Sequence, residues 1–208
     1  PRDQLKGGRF IEAASWYRIC VKLMMTQSMF NGFESMMMET GGTTVFIRRR
    51  GAGYPVLLLH GFPETHLMWR DIAPVLAGQF TVVCADLTGY GSSGCPAAGD
   101  DHRRYSKREI GEDMVGVMNQ LGYDQFAVAG HDRGGRVAYR MALDHPGMIS
   151  SLCVLDVIPG MDVWNTVNAE VMLSFWPWSF MSQPAPLPEQ FITASPHTLI
   201  DHALAEWG

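Results

Sequence analysis

Apolar residues are distributed along this chain in two different ways. From about Phe30 to Asp156 they alternate with polar residues or gather in short runs separated by turn residues, and beyond Ile158 that order disappears. Glu34–Thr40 and Thr43–Arg49 flank Gly41-Gly42 and read as a hairpin closed by a tight glycine turn. Val56–His60 (VLLLH) and Phe80–Asp86 (FTVVCAD) are continuous apolar runs, as expected of strands covered on both faces of a parallel sheet. Between them, Trp69–Leu76 carries a helical signal. Lys107–Leu121 places Ile110, Met114, Val117, Met118 and Leu121 on one helical face, with Gly122 as a C-terminal cap. Gln125–His131 reads as a third core strand leading into a helix over Gly134–Leu143, and Ser151–Asp156 as a fourth core strand.

Strands alternating with helices predict an α/β fold, a mostly parallel sheet with helices on both faces. Residues 1–29 are set apart as an N-terminal extension, because no clear period runs through them. Residues 30–158 form the predicted core. From residue 159 to 208, Trp164, Trp176, Trp178 and Trp207 appear among clustered prolines, which predicts a mainly helical cap.

Composition narrows this picture only a little. The chain has 208 residues, 47% hydrophobic and 18% charged, ordinary for a globular domain with a sizeable core. A net charge of −5 gives no reason to expect a nucleic-acid partner, so an anionic ligand would need local arginines. No apolar run approaches the ~18 residues of a membrane span. Cys20, Cys84, Cys95 and Cys153 lack zinc-ligand spacing. Cys84 and Cys153 fall in apolar strands and are expected to be reduced core residues of a cytoplasmic protein. No metal or cofactor motif is present, and none is expected.

The candidate chemistry lies in Gly130-His131-Asp132-Arg133-Gly134. This is the Gly-x-x-x-Gly frame of a strained strand-to-helix turn that exposes a nucleophile, with aspartate in the exposed position. Gly130, Gly134 and Gly135 supply the small neighbours such a turn needs. The backbone N–H of Arg133 opens a helix, and helix-start N–H groups favour a nearby negative charge. A second free N–H is expected from His60-Gly61-Phe62-Pro63, with Phe62 as donor, so that Phe62 and Arg133 form an oxyanion hole. Taken alone, the motif also fits an aspartate that simply caps a helix.

The blocks LLLHGFPETHLMWRDIAPVLAGQFTVVCADLTGYGSS, GHDRGGRVAYRMALDHP and SLCVLDVIP resemble the α/β-hydrolase superfamily. Within it they are most similar to the haloacetate (fluoroacetate) dehalogenase family, a match that QPAPLPEQFI strengthens. The resemblance spans about Phe30 to Gly208. It implies that Asp132 displaces halide from the substrate carbon, giving an ester that a histidine-activated water hydrolyses while a second carboxylate orients the histidine. Asp156, 24 residues after Asp132 at a strand end, matches that second carboxylate. Arg133 and Arg136 match the arginines that hold the substrate carboxylate, a role suited to the guanidinium fork. Asp86 ends a strand too, but its LTGYGSS loop matches a structural motif and receives no catalytic role. The implied partners are a small anionic substrate such as a haloacetate and, through the cap, a second copy in a homodimer.

Two departures from the family stand out. The family sets a histidine beside a tryptophan to bind the departing halide, and this chain has Pro177-Trp178. Trp178 keeps its indole donor, whereas proline offers none. Removing such a donor costs about 2.7–4 kcal/mol of transition-state stabilisation, so chloro- or bromoacetate is expected to outperform fluoroacetate. The second departure concerns the catalytic histidine. After Asp156 the sequence holds only His197 and His202, both in cap-like sequence; His131 is expected to point away along its strand, and His60 belongs to the oxyanion loop. The chain is therefore expected to stop before the histidine, to stall at the ester, and to leave a sheet edge open. An epoxide hydrolase of the same fold and a non-catalytic binder that keeps the pocket are the alternatives.

Overall fold

The computed structural model describes residues 29–207. The expectation for the N-terminal extension, and Cys20 with it, lies outside the described residues. Six strands form one sheet: β1 (Glu34–Thr40), β2 (Thr43–Arg50), β3 (Pro55–Leu59), β4 (Thr81–Ala85), β5 (Phe126–His131) and β6 (Ile149–Leu155). Their order is β1-β2-β4-β3-β5-β6. β1 and β2 pair antiparallel around Thr40 and Thr43, as the hairpin reading predicts, and β2 is antiparallel to β4. The pairs β3–β4, β3–β5 and β5–β6 are parallel, so the sheet is mixed, with its parallel half at β4-β3-β5-β6.

The apolar runs in β3 and β4 serve two separate cores. Side chains alternate faces along a strand. Leu57, Leu59, Val83 and Ala85 accordingly pack on one face with Ile110, Met114 and Met118 of helix α2 (Lys107–Gln120) and Val137 and Met141 of helix α3 (Asp132–Asp144). Leu58, Val82 and Cys84 pack on the other face with Phe30, Trp69 and Ala73. The single helix predicted around Trp69–Leu76 is instead a 3-10 turn, His66–Trp69, and a short helix α1, Ala73–Leu76. The separation follows from Pro74, which favours a helix start and suits poorly the interior of a longer helix. Helix α2 is capped by the Ser106 side chain, which accepts from the Glu109 N–H, and Gly122 follows it with φ +82°. Helix α3 begins at Asp132, two residues earlier than expected.

β6 departs from its expectation as a core strand. Among the described residues it pairs only with β5 and lies at the edge of the sheet, with Ser150 through Leu155 exposed. Cys153 is consequently exposed rather than buried, whereas Cys84 is fully buried as expected. The apolar composition of SLCVL shows that a strand forms, but burial depends on what covers it. Beyond β6 the described residues form five helices: α4 (Gly160–Asn165), α5 (Ala169–Ser174), α6 (Trp176–Met181), α7 (Leu187–Ala194) and α8 (Pro196–Trp207). Few of their side chains are buried, and Met161, Trp164, Leu173 and Phe191 are largely exposed. No helix among the described residues is long and apolar enough to cross a membrane.

The topology selects one place for chemistry. From β3 the chain crosses to β4 on one side, and from β4 it returns past β3 to β5 on the other. Loops leaving the carboxyl ends of β3 and β5 diverge to opposite faces of the sheet and open a crevice at that switch point. His60-Gly61-Phe62 follows β3, and Asp132 follows β5.

Candidate active site

The turn after β5 is built for close approach. A Cβ on Gly134 would lie 2.5 Å from the carbonyl oxygens of Leu59 and His60, so only glycine lets α3 lie against the end of β3. A Cβ on Gly61 would lie 2.7 Å from His131 Nδ1 and 2.9 Å from Asp132 Cβ, which requires glycine on the opposite wall too. Asp132 itself sits at φ +42°, in the left-handed region that a non-glycine residue adopts only when its surroundings force it. This strained turn holds the carboxylate at the top of the sheet. The Phe62 N–H donates to Asp132 Oδ2 at 3.0 Å. Arg133 is the second residue of α3, so its N–H lies in the first turn, where no intrahelical acceptor is available.

Two histidines hold the β3 loop in different ways. His60 is fully buried; its Nδ1 donates to the Gly61 carbonyl at 2.8 Å, and its Nε2 accepts from the Leu87 N–H at 3.0 Å. Burial lowers its pKa, which favours the neutral ring that this donor–acceptor pattern requires. His131 does not simply point away along its strand. Its Nδ1 lies 3.0 Å from Glu64 Oε2, and its Nε2 lies 4.0 Å from Asp156 Oδ2. Glu64 Oε2 also accepts from the Gly61 N–H at 3.0 Å, so one carboxylate ties the loop after β3 to the residue before Asp132. The Glu64 hydrogen bond raises the His131 pKa against the effect of burial. Burial alone would raise the Glu64 pKa, but the His131 bond and charge hold it below the usual carboxylate range.

Asp156 follows β6 at φ +48° with its side chain almost wholly exposed. Among the described residues, the only imidazole within 4.0 Å of it is that of His131. His197 and His202 both lie on α8, where the His202 ring is 6.0 Å from that of Trp176. Asp86 has a structural task. It accepts from the His66 N–H at 2.7 Å, from His66 Nδ1 at 2.8 Å and from the Ser92 N–H at 2.9 Å. Burial would raise its pKa, but these bonds and the His66 charge hold it low.

Arg133 and Arg136 stand one and four residues after Asp132 on α3. The Nε atoms of both are buried without a hydrogen-bond partner. Neither guanidinium has a carboxylate within 4.0 Å among the described residues. Buried donors of this kind are normally satisfied, and the Nε atoms of Arg48 and Arg104 are unpaired in the same way. Arg133 lies 5.8 Å from the Tyr90 ring centroid, and Arg136 3.9 Å from that of Trp178. Lys107, half-buried at the start of α2, adds a third positive charge. Burial, reinforced by the charges of Arg133 and Arg136, lowers its pKa.

Sequence reasoning thus missed Glu64, Tyr90 and Lys107. Glu64 stood three residues after Gly61 in HGFPE, a spacing that could have marked it as a partner of the loop N–H. Tyr90 lay inside the loop taken as structural. Among the described residues, no group of three or more His, Cys, Asp or Glu side chains is placed to hold a metal ion.

A family model for the alpha/beta hydrolase fold matches residues 54–203. A fluoroacetate dehalogenase from a Burkholderia species is 46% identical over 180 residues, 86% of this chain and 59% of that protein. A soluble epoxide hydrolase from Corynebacterium sp. (strain C12) is 44% identical over 111 residues, 53% of this chain and 37% of that protein. Among solved structures, ALR0039 from Nostoc sp PCC 7120 superposes with a TM-score of 0.84 at 46% identity, covering 86% of this chain and 62% of that one. The chain therefore spans about three fifths of the length of the dehalogenase and of ALR0039.

Proposed function

This chain belongs to the α/β-hydrolase fold family, and on that premise we propose that it cleaves the carbon–halogen bond of a short 2-halo carboxylic acid through an ester on Asp132. The observation that carries this reading is the pairing of a carboxylate at a strained elbow with two half-buried arginines whose buried Nε donors have no partner among the described residues. A carboxylate nucleophile calls for an electrophilic carbon whose product ester can later be opened at its carbonyl. Two arginine forks beside it call for an anionic substrate.

The geometry divides the work between the two oxygens of Asp132. Oδ2 is held by the Phe62 N–H, which leaves Oδ1 to attack. A lone pair of Oδ1 forms the new C–O bond as the carbon–halogen bond breaks, and the halide departs with the bonding electrons. Arg133 and Arg136 hold the substrate carboxylate during this displacement. The ester carbonyl oxygen is then Oδ2, already at the Phe62 N–H. When water adds to that carbonyl, the negative charge develops where the Phe62 and Arg133 N–H groups can stabilise it. Hydrolysis returns the Asp132 carboxylate and releases a 2-hydroxy acid. Asp156 is assigned to orient the histidine that activates the water.

A second reading, epoxide hydrolysis, is favoured by the 44% identity to the Corynebacterium enzyme. It shares the carboxylate nucleophile and differs in its substrate, which is uncharged and makes no use of the two arginines. Chloroacetate and styrene oxide assayed side by side separate the two. Chloride release that Asp132→Asn abolishes, without diol formation from styrene oxide, supports the dehalogenase. Diol formation without chloride release overturns it.

A further inference from the structure

Each of the two guanidinium groups beside Asp132 rests near an aromatic ring, and the Arg136–Trp178 contact is much the closer, at 3.9 Å against 5.8 Å for Arg133–Tyr90. A guanidinium stacked on a ring spends its face on the π cloud, while its N–H donors radiate from its edge. Stacking and carboxylate binding therefore use different parts of one group. Arg136 allows this separation: its Cζ lies over the Trp178 ring, and its Nε has no partner among the described residues. The ring is itself braced by neighbours, with the Trp164 centroid 6.4 Å away and that of Phe175 5.7 Å away. Trp178 lies on α6 and Arg136 on α3, so the stack joins the helical segment to the nucleophile-bearing helix.

We propose that Trp178 is a positioning residue for Arg136: its ring fixes the plane in which the guanidinium receives the substrate carboxylate, so that Trp178 acts on carboxylate recognition irrespective of the halogen. The inference rests on the reading of Arg133 and Arg136 as the carboxylate cradle. It departs from the role that the family resemblance gives this residue, which is to donate its indole N–H to the halide. The ring face and the N–H edge can be removed separately.

Trp178→Phe keeps an aromatic face and deletes the N–H, and Trp178→Leu deletes both. Glycolate carries the carboxylate without a halogen and serves as the binding probe, with chloride and bromide release from the two haloacetates measured alongside. Trp178→Leu is expected to raise the glycolate Kd about tenfold, equivalent to about 1.4 kcal/mol. Trp178→Phe should stay within about threefold of the unaltered chain and leave the chloroacetate-to-bromoacetate preference unchanged. Arg136→Lys keeps the charge without the planar face, so adding Trp178→Leu to it should weaken glycolate binding no further. Additive losses in that double variant would overturn the proposal, as would unchanged glycolate binding in Trp178→Leu. A Trp178→Phe variant with altered halogen preference and normal glycolate binding would overturn it in favour of the halide role. Failure of the unaltered chain to bind glycolate would instead remove the carboxylate cradle, and this inference with it.

Discussion

Strands β4 and β6 are similar in composition and opposite in fate. Every residue of TVVCA in β4 is buried, because β2 and β3 flank it and both faces are covered. In ISSLCVL of β6 every residue after Ile149 is exposed, because among the described residues β5 is its only neighbour. The contrast extends to the residues that each region contributes to the site. Asp132, Phe62 and Arg133 stand on loops and a helix anchored to the buried strands. Asp156 and Trp178 come from the edge strand and the exposed helical segment. The proposed nucleophile is thus set in a well-packed frame, while the residues proposed to orient the base and steady Arg136 rest on surface with few buried contacts. Apolar sequence specifies that a strand forms; neighbours decide whether it becomes core.

The sharpest way to break this comparison is thiol reactivity. Cys84 is fully buried and burial pushes its thiol pKa up, so it should react with a thiol reagent only through unfolding. Cys153 on β6 is exposed and should react at least about 10³-fold faster, as read by peptide mapping. Equal rates would erase the distinction between the two strands. Next is Leu57→Ala in β3, where the side chain is fully buried; it should cost about 2–5 kcal/mol by chemical denaturation. Leu155→Ala, at 40% exposure, should cost under about 1 kcal/mol.

Gly61→Ala tests the frame at the site itself. The new methyl would lie 2.7 Å from His131 Nδ1 and 3.0 Å from Glu64 Oε2, displacing the loop that carries the Phe62 N–H. Displacements of this kind cost on the order of 100-fold in rate, and halide release is the readout.

The smallest effect is the pH dependence of the Glu64–His131 tie. The raised His131 pKa contributes stability that is complete below its ordinary value and lost as pH rises through its folded value. The lowered Glu64 pKa contributes stability that is complete above its ordinary value and lost as pH falls through its folded value. Both contributions are full between the ordinary values of 4.5 and 6.5. The stability difference between the unaltered chain and Glu64→Gln should therefore peak in that window, at under about 1 kcal/mol, and shrink towards pH 9. A difference that grows with rising pH would refute the tie.

Much of the frame was legible because its signals are local. The hairpin, the buried strands β3 and β4, helix α2 and the elbow at Asp132 each follow from residues a few positions apart. HGFP marked the Phe62 N–H as a donor, and that group lies 3.0 Å from Asp132 Oδ2; its part in an oxyanion hole belongs to the proposed function. What escaped was non-local. Glu64 meets His131 across 67 positions of sequence. Exposure of Cys153 depends on which strands flank β6, and the stack of Trp178 on Arg136 depends on how a helical segment packs. No periodicity within one segment encodes those meetings.

The central claim is that the Asp132 carboxylate attacks the halogen-bearing carbon, and acid-quenched peptide mapping after a single turnover with chloroacetate tests it most directly. The expected result is a carboxymethyl ester on the peptide containing Asp132, formed in step with chloride release and missing from Asp132→Asn. Chloride release with no ester on that peptide, or an ester formed equally well in Asp132→Asn, would contradict it.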